Sequence, residues 1–190
     1  MNHYSKYIFT VVGLFILFAA SGGAFAKPFG NPEDIAFGKK LWTALEKNHL
    51  AGVNSFRTSR PYKTDPPHGN IVETMDGKIK VGKRRAVVIV KKNFGIRGTD
   101  NKTTVEQVAN SPAKKYMTSI TVMFRREKGY DPENKNWFWA KYSPDGKLMK
   151  NPKGMALAGR VAKGSDKACI ACHAAAPGDD YVYTHDKYAK

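Results

Sequence analysis

Cysteine is scarce in this chain. There are two among 190 residues, Cys169 and Cys172, separated only by Ile170 and Ala171. That spacing excludes a disulfide between distant parts of the fold and leaves no further thiol to act as a nucleophile. Acidic residues are also few, 16 Asp and Glu against 32 Lys and Arg, for a formal charge of +16. A field of that sign speeds encounter with an acidic redox partner or an anionic surface. It is a poor sign of nucleic-acid binding, because the basic residues are scattered from Lys39 to Lys190 and no binding motif interleaves them. Long apolar runs are absent after residue 26. The one before it, "YIFTVVGLFILFAA", is short for a membrane span. It follows Lys6 and leads to Ala24-Phe25-Ala26, so residues 1–26 read as a secretory signal peptide, with an uncleaved anchor as the alternative. One soluble domain over 27–190 is expected, in the periplasm or another extracytoplasmic compartment.

What the chain does have is "DKACIACHAAA", residues 166–176, which holds both cysteines and then His173. Two thiols, two spacers and an adjacent histidine form the attachment signature of a c-type haem. The thiols add across the two vinyl groups, the spacing lets both reach one porphyrin edge, and His173 presents its imidazole to the iron. A Cys169–Cys172 redox disulfide is one competing reading, although such pairs normally open the first helix after a strand. A zinc site is another, although a closed tetrahedral site needs four ligands. No methionine follows His173. That excludes the layout of small electron-carrier cytochromes, in which the haem motif comes early and a methionine ligand late.

The expected fold class is α+β, an antiparallel β-sheet with an N-terminal helix and a short C-terminal haem-attachment helix. Asn31 is a plausible N-cap, Pro32 suits the first turn, and Glu33 and Asp34 favour the positive end of the dipole. Ile35, Gly38, Leu41, Trp42 and Leu45 recur at helical spacing, with Gly52 as the stop signal. "SFRTSRPYKTDPPHGN" is rich in turn formers. "RRAVVIVKKN" reads as a buried strand. "YMTSITVMFRRE" puts Ile120, Val122 and Phe124 on one face and Ser119, Thr121 and Arg125 on the other. "NWFWAKY" is an aromatic strand, "SPDG" a turn and "KLM" its return. Residues 95–112 read as a surface excursion with a short helical turn. The haem helix is expected to be capped by Ser165 or Asp166, with Tyr181 and Tyr183 placed to cover a haem edge. At least three strands after one helix exclude a helical bundle.

The early helix, "PPHG", "VVIVKKNFG", "SITVMFRREKGYDPENKNWFWAKYSPDGK" and "ACIACHAAAPGDDYVYT" together resemble the cytochrome P-460 and cytochrome c′-beta family. The resemblance spans most of residues 32–186, and is strongest from Ser119 to Thr184. It implies an antiparallel sheet with helices, a homodimer, and one five-coordinate haem c per chain. It also implies one of two activities. The P-460 members oxidise hydroxylamine, carry a lysine joined to the porphyrin rim, and use a pocket carboxylate to remove protons. The c′-beta members lack that link and bind nitric oxide or carbon monoxide at an apolar distal face. Carried onto this chain, Lys78 is the candidate for the linked lysine, with Lys80 close by, and Glu73 is the candidate base. The competing reading makes Lys78 a solvated residue and Glu73 an outward one on a half-exposed strand. Trp137, Phe138 and Trp139 are candidates to wall the pocket. His68 is either a sixth iron ligand or a structural part of its turn. His49 and His185 read as surface residues, and Met75, Met117, Met123, Met149 and Met155 as core. A sixth ligand would make the protein an electron-transfer cytochrome. Enzyme, gas trap and shuttle stay open at this point.

Overall fold

A computed structural model describes residues 29–57, 60–64, 68–95, 103–166 and 168–183. The expected signal peptide, His185 and the middle of the 95–112 excursion lie outside the described residues. Helix α1 (Pro32–Lys47) starts as its sequence dictates, with the Asn31 side chain accepting from the Asp34 N–H at 3.0 Å. Such a cap is worth about 1 kcal/mol. The helix stops at Lys47, several residues ahead of Gly52. The Asn48 backbone N–H and its side-chain amide both donate to Ala44 O and close the last turn early.

Six antiparallel strands follow in chain order across one sheet. They are β1 (Tyr62–Lys63), β2 (Ile71–Val81), β3 (Arg84–Phe94), β4 (Met117–Arg125), β5 (Trp137–Tyr142) and β6 (Ala158–Gly159). The excursion between β3 and β4 carries the short helix α2 (Val105–Ala109), closed by a capping box between Thr104 and Gln107. Helix α3 (Cys169–Ala174) ends the described architecture, so the α+β class holds. β2 and β3 close through Gly82-Lys83, with positive φ (59°) at Gly82 and not at Lys83, as a II′ hairpin requires.

The sheet buries both faces. On one, Val88, Val90, Ile120, Val122, Phe124, Phe138, Ala140 and Tyr142 pack beneath Leu41, Trp42 and Leu45 of α1. The Tyr142 hydroxyl donates to Gly38 O at 2.8 Å there, so this buried polar tip is satisfied. On the other face, Ile89, Met123 and Trp139 stand side by side in register and meet Val161 and Ile170 of the C-terminal segment. The period-two reading of β4 was therefore correct in phase, but its second face points into protein. The four-residue apolar run Val87–Val90 is the sequence sign of this, since a strand with one wet face alternates.

Gly146 closes the turn after β5 at φ 87°, and a Cβ there would run into the Trp42 indole. We expect Gly146→Ala to lower stability by about 1–2 kcal/mol from the left-handed backbone and roughly 1–3 kcal/mol more from displacing the ring. Gly82→Ala also has positive φ, but nothing lies within 4 Å of its Cβ, so it should show only the backbone cost. Urea unfolding of the two variants side by side separates these contributions; equal losses would contradict the packing argument.

Candidate functional site

Between α3 and the second face of the sheet lies a cavity of about 550 Å³. Cavities of that size hold cofactors rather than single waters. Its floor is the alternate positions of three strands: Ile89 and Lys91 from β3, Thr121 and Met123 from β4, Trp139 and Lys141 from β5. Leu157 and Val161 extend the apolar wall, and Cys169, Cys172 and His173 line the side formed by α3.

α3 is one and a half turns long, enough to bring Cys169, Cys172 and His173 to one side. Its N-cap is Ala168, which makes no side-chain cap bond, so neither Ser165 nor Asp166 fills that role. Ser165 belongs to the preceding turn, where its N–H donates to Ala162 O at 3.0 Å. Both cysteines are free thiols, and the protein packed around Cys169 pushes its thiol up. Among the described residues no group of three or more His, Cys, Asp and Glu is disposed to hold a metal ion, so the three residues of the motif are not joined by a fourth ligand.

His173 is buried and oriented. Its Nδ1 lies 2.7 Å from Tyr181 O, a carbonyl that can only accept, so Nδ1 carries the proton and Nε2 keeps its lone pair. Trp139 and Tyr183 pack edge-on against the ring at 4.8 and 5.4 Å between centroids. Burial pushes the His173 pKa down to about 4, so the imidazole is neutral and able to ligate at ordinary pH. Tyr183 OH donates to Cys172 O at 2.9 Å and Tyr181 OH to Glu133 O at 3.2 Å, which ties the tail across the end of α3.

The residues fit a haem. A largely apolar cavity of cofactor size has two free thiols and an oriented imidazole among its lining residues. Trp139 Nε1, buried in the cavity wall, has no hydrogen-bond partner among the described residues. An orphaned buried donor asks for a bound group.

The other sequence candidates fall in different places. Lys78 is exposed on β2 and does not line the cavity. Glu73 is fully buried rather than outward, but it too lies outside the cavity, paired with Arg57 at 3.1 Å and Lys92 at 3.5 Å. The period-two geometry explains Glu73, which stands opposite Lys92, and Lys92 shares its face with Val88 and Val90; Lys78 stands opposite Val87 on the other face, outside the stretch of β3 that lines the cavity. Of the aromatic trio, Trp139 lines the cavity. Trp137 is buried beside it, its Nε1 donating to Asp180 O at 3.0 Å, while Phe138 turns to the α1 face. Met123 lines the cavity, and His49 is exposed. His68 does reach the cavity.

Sequence reasoning missed Lys91. Its neighbour Lys92 points to the opposite face, so Lys91 points into the cavity, where burial holds its ammonium below the usual range. The signal was available: a lysine one step beyond the apolar run Val87–Val90, within a strand buried on both faces, has nowhere wet to go.

The sequence model of the cytochrome P460 family matches residues 77–184 of this chain. No curated protein and no solved structure matches it.

Proposed function

The chain belongs to the cytochrome P460 family, and from that premise we propose that it is an exported c-type cytochrome that takes up and oxidises small nitrogen species such as hydroxylamine. Cys169 and Cys172 hold one haem covalently and His173 is its proximal ligand. This attachment is supported by the i, i+3 thiols on one side of α3 and by the Nδ1–H of His173 tied to Tyr181 O. A haem bound there would supply an iron able to bind the nitrogen ligand and accept its electrons, which an external acceptor would then take up. Ile89, Met123, Leu157 and Val161 give the cavity an apolar wall that would limit water around a bound ligand. The large positive charge suits an acidic acceptor. The leader-like residues 1–26 support export, and the family resemblance supports a homodimer.

The observation that carries the oxidase reading over a simple gas trap is Lys91. A buried amine whose protonated form is disfavoured is a nucleophile in waiting. We assign Lys91, in place of Lys78, as the lysine joined to the porphyrin rim. Making that bond replaces one N–H and one C–H by C–N and passes two electrons to an oxidant of the peroxide class. In the wild type, protease digestion should yield one haem bridging the Lys91 peptide and the Cys169–Cys172 peptide. The reduced absorption band should lie well to the red of an ordinary haem c. Lys91→Leu should release the bridge, restore the ordinary band and leave nitric oxide binding intact. An ordinary band and a single haem-bearing peptide in the wild type would favour the non-catalytic nitric-oxide-binding reading instead.

A further inference from the structure

We propose that the tail from Asp179 to Tyr183 is a strained strap that holds the Tyr181 carbonyl on His173 Nδ1. Tyr181 is then the positioning residue that sets how strongly the proximal imidazole donates to the iron. This rests on the haem reading above and concerns the proximal side of that same site. The His173 Nδ1–H donates to Tyr181 O at 2.7 Å. A ligating histidine whose second nitrogen donates in this way is more basic and keeps one orientation.

The carbonyl does not reach that place in relaxed backbone. Tyr181 stands at φ 63° and Asp179 at φ 52°, in the left-handed region that favours glycine. A bulky residue persists there only where its surroundings hold it.

The holders come from the connection between β4 and β5, not from α3. Tyr181 OH lies 3.2 Å from Glu133 O and 3.2 Å from Asn134 Oδ1. The Asn134 amide nitrogen is committed to Asp131 Oδ2 at 2.8 Å, so both partners of the hydroxyl accept and Tyr181 is the donor. One residue back, Trp137 Nε1 donates to Asp180 O at 3.0 Å. The connection is itself tied down. Lys163 bridges Asp131 at 2.6 Å and Glu133 at 2.8 Å, and the Asp131 N–H donates to Asn136 Oδ1 at 3.0 Å. The outer contact, Lys135 with Asp179 at 3.0 Å, is exposed and holds no atom of Tyr181. Exposed pairs of that kind contribute little.

The strap therefore sets backbone strain against a side-chain anchor. With the hydroxyl bound, the carbonyl is kept on Nδ1. Without it, Tyr181 relaxes towards ordinary backbone and the carbonyl turns from the imidazole. A less basic imidazole stabilises ferric iron less than before, so the reduction potential rises.

The test uses the purified, haem-loaded protein, with resonance Raman of the ferrous form and a spectroelectrochemical titration. Tyr181→Phe keeps the ring and loses the anchor. It should lower the iron–histidine stretching frequency and raise the reduction potential while keeping the covalent pigment. Asn134→Ala takes one acceptor from the hydroxyl and should move both readouts the same way by less, which tests the anchor without altering Tyr181. Lys135→Gln should move neither. Unchanged frequency and potential in Tyr181→Phe overturn this inference and leave the haem reading standing, whatever the variant loses in stability. An equal shift in Lys135→Gln overturns it as well. A colourless wild type overturns the haem reading, and this inference with it.

Discussion

Replacing Cys169 and Cys172 together by alanine is expected to abolish covalent pigment. Acidified organic solvent should then strip all colour from the variant and none from the wild type. The argument is geometric. Both thiols lie on α3 at i and i+3, line the same cavity as His173, and form no bond with each other. They are therefore placed to hold a group inside the cavity rather than to staple the backbone. Either single substitution should leave one thioether and an intermediate result, with the remaining bond fixing one edge of the macrocycle. Loss of stability should accompany loss of pigment. The cavity of about 550 Å³ would be left unfilled, and its lining residues would lose the contacts that a bound macrocycle makes with them. If the double variant retains non-extractable haem, the attachment residues are wrong.

Glu73→Ala is expected to cost about 3–5 kcal/mol of folding free energy, the range for breaking a buried ion pair, while leaving the haem absorption spectrum unchanged. Glu73 and Lys92 are both fully buried, their charges 3.5 Å apart. Arg57 reaches Glu73 at 3.1 Å and donates through its other arm to Val108 O at 2.8 Å and Ser111 O at 2.9 Å. The cluster therefore ties the loop before β1 and the α2 excursion onto the sheet. Removing the carboxylate strands the Lys92 ammonium, which burial already holds below its usual range. Lys92 Nζ keeps Phe56 O as a hydrogen-bond partner, but that dipole does not replace a charge. The double variant Glu73→Leu/Lys92→Met should recover much of the loss, because a well-packed apolar pair needs no desolvation. Urea titration measures both. If Glu73→Ala instead altered ligand binding at full stability, Glu73 would act in the pocket and its place on the far face would be misread.

Much of the architecture was legible in the chain. Asn31-Pro32 announced α1, the apolar run from Val87 to Val90 announced β3, and alternation around Val122 gave the phase of β4. The proposed attachment residues could be named from the chain because CIACH compresses three functional groups into five positions. The floor of the cavity was not legible. Lys91, Thr121 and Lys141 are polar, and on a strand such residues ordinarily face water. Only the sheet register, which aligns Lys91 with Thr121 and Thr121 with Lys141, shows that they share a face with Met123 and Trp139. Glu73 was misplaced for the same reason. Parity along a strand is readable from one sequence, but which parity meets the cavity depends on where α3, far along the chain, comes to lie. The α3 cap was misjudged because Ser165 is committed to the turn before it.

The most direct test is the intact mass of the denatured, purified protein, expressed with a working cytochrome c maturation system, followed by sequencing of the haem-bearing peptide. The account predicts a polypeptide heavier by one haem, with the added mass on the segment holding Cys169, Cys172 and His173. A polypeptide at its bare mass, or haem carried on any segment lacking those cysteines, would contradict it.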